Sequence, residues 1–393
     1  MDKRNASIIG IVAIASYVAN YFLRNMLGVL TPFILNSTSY TKEYLALLSS
    51  SYMIAYASGQ LFNGIIGDFV KSKYMLLIGL ILAGIVSMLF PFLQYNTLQV
   101  MCFIVMGYGL SMVRGPLMKI VSENTKAKYA RIICVFLSFS SFVGPLIAGL
   151  ISAVFMWKSA FITAGILAIM VSVFAFVMLT VLERKKVITF TKEKSFHPKD
   201  MLGVFKIKGI AFYILIACLA EGAATPVIFW MPTLFNEYIG FDESTANMIF
   251  SFISFLNAFV PFLTLALYKL FKENDILIMK LSYLLSIIAI IIMMVIPASV
   301  GTIVFLLIAF VMNNIVSALL WSVYIPSLGK TGRVSSANGV LDCSGYIAAG
   351  VVTSLFAQAV SYFGWIGLMF AWLVIPIIGL IAALYASKNL KIN

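Results

Sequence analysis

Few residues of this chain have chemistry to offer, and those few stand where charge is rarely tolerated. Arg24 lies inside "SYVANYFLRNMLGVLTPF" (16–33), Arg114 inside "GLSMVRGPLMK", Glu221 inside "CLAEGAATP" and Asp342 inside "NGVLDCSGY". The surrounding residues are mostly apolar or small. An arginine at mid-bilayer depth costs roughly 2.5 to 3.5 kcal/mol on insertion scales, and Arg24 is too far from either end of its run to snorkel easily, so it must face protein or water. There it would attract an anion or be satisfied by helix carbonyls or a carboxylate. Arg114 lies close enough to Lys119 for snorkelling to be an alternative. A carboxylate in such surroundings can bind and release protons, which makes Glu221 and Asp342 candidates for carrying a coupling proton. The competing structural reading is a static ion pair, for example Arg114 with Asp342.

Aromatic and amide groups accompany the charges. Tyr17, Asn20 and Tyr21 share a helical face with Arg24 at offsets of three, four or seven residues, together with Gly28 and Thr31. Tyr52, Tyr56 and Gln60 repeat the pattern in the second apolar run, beside Gly59, Asn63 and Gly67. These groups are expected to orient a polar molecule; helix packing is an equal alternative for Gly59 and Gly67. Trp321 and Asn314 complete the candidate set. Asn313, Ser317, Tyr324, Asn257, Trp230 and Tyr346 are weaker, because Tyr and Trp most often serve membrane interfaces or helix contacts. No nucleophile and base pair or metal-ligand cluster appears, and the single histidine, His197, sits in a polar stretch. Neither enzymatic activity nor a cofactor nor a metal is expected. Cys102, Cys134, Cys218 and Cys343 fall in apolar runs and read as small core residues.

The elements that position these residues must be membrane helices. Of 393 residues 62% are hydrophobic and 10% charged, and the mean hydropathy is +1.05, outside the range of soluble domains. Apolar runs extend over about 8–35, 44–66, 74–94, 98–118, 131–153 and 159–182, then about 209–235, 245–271, 276–297, 301–325, 335–359 and 364–387. The first run is too long, and lacks the small-residue cleavage site, for a secretory signal. The polar stretch between the sixes, Glu183 to Lys208, is the natural linker between a bundle at 1–182 and another at 209–393. All 27 Lys and Arg except Lys42, Lys158, Arg24 and Arg114 fall in segments that share one side if both termini are cytoplasmic, as the positive-inside rule requires. The net charge of +13 thus has a cause that needs no nucleic acid.

The halves echo each other. Trp157 in "FMWKSAF" and Trp365 in "YFGWIGLMF" each open the last helix of their half, and "FSSFVGPLIAG" in helix five resembles "CSGYIAAGVV" in helix eleven. Secondary transporters are commonly built from such repeats, with binding sites near the midplane.

Between the second and third helices, "GIIGDFVKSKYML" sets Asp68 four residues after Gly64, followed by Lys71 and Lys73. Here the chain resembles the major facilitator superfamily, whose loop has Gly, three residues, Asp, then Arg or Lys and Gly. Gly64, Asp68 and Lys73 match, while Phe69 and Lys71 replace the usual basic residue and second glycine. In that family the loop latches the inner face in the outward-open state, so the resemblance implies a gating role for Asp68 and Lys73; a solvated turn is the plainer reading. The resemblance covers the whole chain as a six-plus-six layout. "YFLRNMLGVLTPFI" and "SMVRGPLMKI" are similar to the branch carrying organic phosphates, sugar acids and other organic anions, although Trp is more usual where Arg114 stands. Phosphate-exchanging members carry a second substrate arginine in helix seven and a histidine in helix five. This chain has Glu221 and no such residues, which speaks against phosphate exchange. "YIPSLGKT" lacks the first glycine of a phosphate-binding loop, and "SFVGPLIAG" lacks the upstream glycine of the drug-proton antiporters' helix-five motif.

The resemblance implies an all-α membrane protein of twelve transmembrane helices in two pseudo-symmetric six-helix bundles, the major facilitator fold. The expected activity is secondary active transport of a small organic anion (carboxylate, sugar acid or phosphorylated metabolite), proton-coupled, by alternating access. Its setting would be the cell membrane, multi-pass, as a monomer among lipids. Export of lipophilic or cationic compounds is the alternative, and a non-transporting membrane sensor a more distant one.

Overall fold

A computed structural model describes residues 3–190 and 203–389; His197 and the middle of the expected linker lie outside the described residues. Among the described residues the regular structure is helical, with no strand. The first half forms α1 (Lys3–Ser37), α2 (Lys42–Phe69), α3 (Ser72–Leu89), α4 (Asn96–Asn124), α5 (Ala127–Val154) and α6 (Trp157–Arg184). The second forms α7 (Ile210–Thr233), α8 (Glu243–Asn257), α9 (Val260–Leu270), α10 (Asp275–Val295), α11 (Val300–Leu319), the single turn α12 (Ile325–Ser327) and α13 (Val334–Asn389).

One expected span is broken and two run together, each for a local reason. The eighth is divided into α8 and α9 at Ala258 and Phe259, just before Pro261, which lacks the N–H a continuous helix would use. The 56-residue α13 is two helices joined at Gly364, whose φ of 65° and ψ of −164° lie in a region open to glycine. With α8 and α9 counted as one span, α13 as two and the single turn α12 left out, the described helices make twelve. Among the described residues ten stretches are long and apolar enough to cross a bilayer. Helix α2 is not among them, diluted by Ser49, Ser50, Ser51, Gln60 and Asn63. Helix α4 runs to Asn124, beyond the expected end near 118, because Pro116 is accommodated within it.

The chain packs as two compact units, one comprising Met1–Val204 with Ile325–Cys343, the other Phe205–Tyr324 with Ser344–Asn393. In the first, α2 packs on α4, α1 on α5 and α6, and α3 on α4 and α6. The segment Ile325–Cys343, though late in sequence, belongs to this unit. In the second, α11 packs on α7, α9 and α10, around a core that includes Phe235, Phe310, Phe356 and Trp372. Trp157 opens α6 with its ring against Phe90, and Trp365 follows the Gly364 break with its ring against Trp230. Each tryptophan thus anchors a helix start within its own unit.

One close approach in the first unit admits only glycine. A Cβ added to Gly64 of α2 would fall 2.8 Å from the Cα of Gly339 in α13, and one added to Gly339 would collide with the backbone carbonyl of Gln60. Gly339→Ala is therefore expected to destabilise the protein by about 1 to 3 kcal/mol, the usual cost of overpacking. Gly149→Ala, where a Cβ meets open space, should be neutral or stabilising. Thermal unfolding of both variants in detergent checks this; equal midpoints would refute the contact.

Candidate substrate and coupling site

The expected residues of the first unit converge. Helix α1 presents Arg24 with its guanidinium 5.8 Å from the Tyr21 ring centre and 5.2 Å from that of Tyr56 on α2. One Nη also approaches the Met53 sulfur at 3.9 Å. Tyr17 meets Tyr21 edge to face at 5.0 Å, and Tyr52 stacks on Tyr56 at 5.8 Å. Tyr17, Tyr52 and Tyr56 are buried. The tyrosines form a wall of ring faces whose negative quadrupoles suit a cation in a poorly hydrated place. Helix α5 helps to fix it, because Gly144 lets the backbone of α1 approach at Tyr21; a Cβ there would sit 2.8 Å from the Tyr21 carbonyl carbon. A glycine followed by Pro145 was the sequence signal for that contact, and its role was not evident from the sequence.

Arg114 of α4 does not snorkel. Its side chain is 12% exposed, and Nη1 donates to Oδ1 of Asp342 at 2.6 Å, closing the ion pair that was the static alternative. Asp342 is 3% exposed and takes a second hydrogen bond, from Asn338 Nδ2 to Oδ2 at 3.1 Å. Tyr17 lies within electrostatic reach of both Arg114 and Asp342, and the charge of Arg24 also reaches Asp342. Two guanidinium groups and one carboxylate thus share the site, a balance of one positive charge.

Other members of the expected set are committed to the scaffold. Asn20 donates through Nδ2 to the Leu110 carbonyl of α4 at 2.8 Å, and Asn63 donates to Ser111 Oγ at 2.7 Å. Gly59 and Gly67 are contact points, the first against Ser111 and Tyr108, the second against Ser335. Gln60 is 1% exposed, and its Nε2 has no hydrogen-bond partner among the described residues. It is a donor held in reserve at the level where α2 touches α13.

Where α2 meets the start of α13 the two expected gating residues separate. The Asp68 carboxylate accepts the backbone N–H groups of Ser335 at 3.0 Å and Ser336 at 3.1 Å, and also the Ser336 hydroxyl. Since α13 begins at Val334, Asp68 caps a helix N-terminus supplied by another helix, satisfying donors that the helix itself leaves open. Lys119 lies nearby, its Nζ donating at 2.9 Å to the carbonyls of Gly67 and Asp68 at the end of α2. Lys73 points elsewhere, pairing with Glu183 at 2.5 Å beside Lys71, which reaches the same carboxylate at 3.1 Å. Ser335, Ser336 and Asn338 were missed from sequence, because serine and asparagine in a helix carry no signal until their partners are known.

In the second unit Glu221 of α7 is half-buried against α13; a Cβ on Gly345 would fall 2.8 Å from its Cγ. Asn313 donates to the Ala220 carbonyl at 3.1 Å, tying α11 to α7 next to Glu221. Asn314 turns back onto its own helix at Phe310. Trp321 is buried within a π-helical turn, Leu320–Tyr324, that ends α11. Among the described residues no group of three His, Cys, Asp or Glu side chains could hold a metal ion.

Comparison with known proteins gives a consistent picture. The Major Facilitator Superfamily model matches residues 13–350. The glucose-6-phosphate exchanger SLC37A2 of Bos taurus is 21% identical over 252 residues, covering 52% of this chain and 51% of its own length. The membrane sensor protein UhpC of Salmonella typhimurium is 25% identical over 157 residues, covering 39% and 36%. The match thus spans about half the length of the first of these relatives. Among solved structures, that of the proton:xylose symporter XylE superposes with a TM-score of 0.76 at 13% identity, covering 100% of this chain and 97% of the other; at that identity the likeness concerns the fold.

Proposed function

The chain belongs to the Major Facilitator Superfamily, a family of multi-pass membrane transporters, and from that premise we propose that it moves a small organic anion by alternating access, coupled to protons. The observation that carries this reading is the charge balance of the cluster, in which, among the described residues, Arg24 and Arg114 share one carboxylate, Asp342. Arg24 stands against the Tyr21 and Tyr56 rings and carries the planar fork of donors that binds a carboxylate or phosphate oxygen. Tyr17, Tyr21, Tyr52, Tyr56 and Gln60 would orient the rest of the substrate. Asp342 would carry the coupling proton, since its protonation removes the attraction that holds Arg114; Glu221 is the second candidate, in the other unit. Asp68, gripping α13 at Ser335 and Ser336, would act as an inner latch in the state described here.

The glucose-6-phosphate exchangers among the relatives make phosphorylated sugars the first probes, and the sequence resemblance adds sugar acids. The test is a thermal-shift screen of purified protein against glucose 6-phosphate, gluconate, simple carboxylates and quaternary ammonium ions. A binding anion at a hundredfold excess over its Kd should stabilise the fold by about 2.7 kcal/mol. Uptake of that anion into proteoliposomes should then follow an imposed pH gradient. Stabilisation by cations alone would instead favour export of cationic compounds, and uptake indifferent to the gradient would remove the proton.

A further inference from the structure

Asp342 is held by two donors of different character. Arg114 serves Oδ1, and the side-chain amide of Asn338, one turn earlier on the same helix, serves Oδ2 at 3.1 Å. Asn338 is 0% exposed. Its own Oδ1 has no hydrogen-bond partner among the described residues, an arrangement that is costly in a buried place. The amide cannot be turned to satisfy that oxygen while Asp342 is ionised, because this would set two acceptors against each other. The other charged or titratable groups around the carboxylate are Arg114 of α4, Arg24 and Tyr17 of α1, and Cys343 on its own helix, with Tyr21 and Tyr56 around Arg114. None of these offers an acceptor as well as a donor on a neutral side-chain amide.

We propose that Asn338 is a positioning residue whose amide serves both protonation states of Asp342. Its Nδ2 donates to the ionised carboxylate, as described here. When a proton from water binds Oδ2, a half-turn about the last side-chain bond brings Oδ1 to accept the new O–H, and the acceptor now unpaired becomes satisfied. That torsion is broad and roughly two-fold, so the turn needs no backbone movement. Release of the proton to water reverses it. The inference rests on Asp342 being the coupling carboxylate proposed above.

An infrared difference titration of the full-length protein in detergent reads this without any substrate. Acidification should raise the C=O stretch of a protonated carboxyl that Asp342→Asn abolishes. In Asn338→Leu the ionised form loses one donor and the protonated form one acceptor, so the band should appear about one pH unit higher, the difference between a hydrogen bond to a charged group and one to a neutral group. It should also move to higher frequency, because the O–H has lost its acceptor. Asn338→Gln, which keeps the amide, should restore both features towards wild type. Should Asn338→Leu fail to fold, Asn338→Ala replaces it with the same expected directions. A band unmoved in pH and frequency by loss of the amide overturns the inference and leaves the coupling role of Asp342 standing. Absence of any band sensitive to Asp342→Asn overturns that coupling role, and the inference with it.

Discussion

Arg24→Ala is expected to lower substrate uptake by about thirtyfold or more while the protein still inserts, purifies as a single species and unfolds near the wild-type temperature. The magnitude follows from removing one member of a desolvated charge pair with an anion, which typically costs about 2 to 5 kcal/mol at about 1.4 kcal/mol per tenfold. The fold should survive because the deletion removes a charge rather than stranding one. Tyr21 and Tyr56, against which the guanidinium lies at 5.8 and 5.2 Å, are held by contacts that do not involve it. Tyr56 stacks on Tyr52, and Tyr21 packs on Tyr17 and is backed by Gly144. Arg24→Lys should be intermediate to severe, since an ammonium keeps the charge but loses both the planar fork and the stacking surface. Proteoliposome uptake alongside thermal unfolding measures both arms. Wild-type uptake by Arg24→Ala would show that the anion is bound elsewhere.

The second large effect concerns stability. Arg114→Leu leaves Asp342 buried at 3% exposure with its guanidinium partner gone, and breaking a buried pair by removing one partner costs roughly 3 to 5 kcal/mol. Asp342→Asn should be milder, because an amide oxygen still accepts from Arg114 and the site becomes more positive without stranding a carboxylate. Replacing both residues, Arg114→Met with Asp342→Leu, should recover most of the lost stability, since well-packed apolar groups often equal a buried ion pair. Transport should not recover, because the proposed cycle needs both charges. Thermal unfolding of the four proteins in detergent reads these differences. An Arg114→Leu variant as stable as wild type would show that the pair contributes little and that Asp342 is hydrated or neutral.

Both predictions depend on partners that local pattern could not identify. The stripe of Tyr17, Asn20, Tyr21 and Arg24 was legible because helical periodicity places residues three and four apart on one face whatever the rest of the chain does. Within that stripe the structure divides the roles: the tyrosines and Arg24 form one cluster, and Asn20 spends its amide on the Leu110 carbonyl. Asp68 was legible as part of a loop motif, yet its acceptor role emerges only once the N-terminus of α13, 267 residues away, is seen against it. Lys73 was grouped with Asp68 by proximity in sequence, but its ammonium reaches Glu183 on α6 instead. The broken eighth span was foreshadowed by Pro261, and the break at Gly364 by a glycine before the second anchoring tryptophan.

Hydropathy, helical periodicity and the scarcity of charge were enough to determine that this is a helical membrane protein with twelve spans, and which face of its first helix is polar. Those properties are set by short stretches of chain against a uniform apolar solvent, so each segment answers for itself. Only the tertiary structure decided that Arg114 meets Asp342 across 228 residues of sequence, that Asn338 supports the same carboxylate, and that Gly64 and Gly339 bring their two helices into backbone contact. Those choices depend on the rotation and depth at which helices pack, where a shift of one residue turns a side chain by about 100° and exchanges an ion pair for a lipid contact.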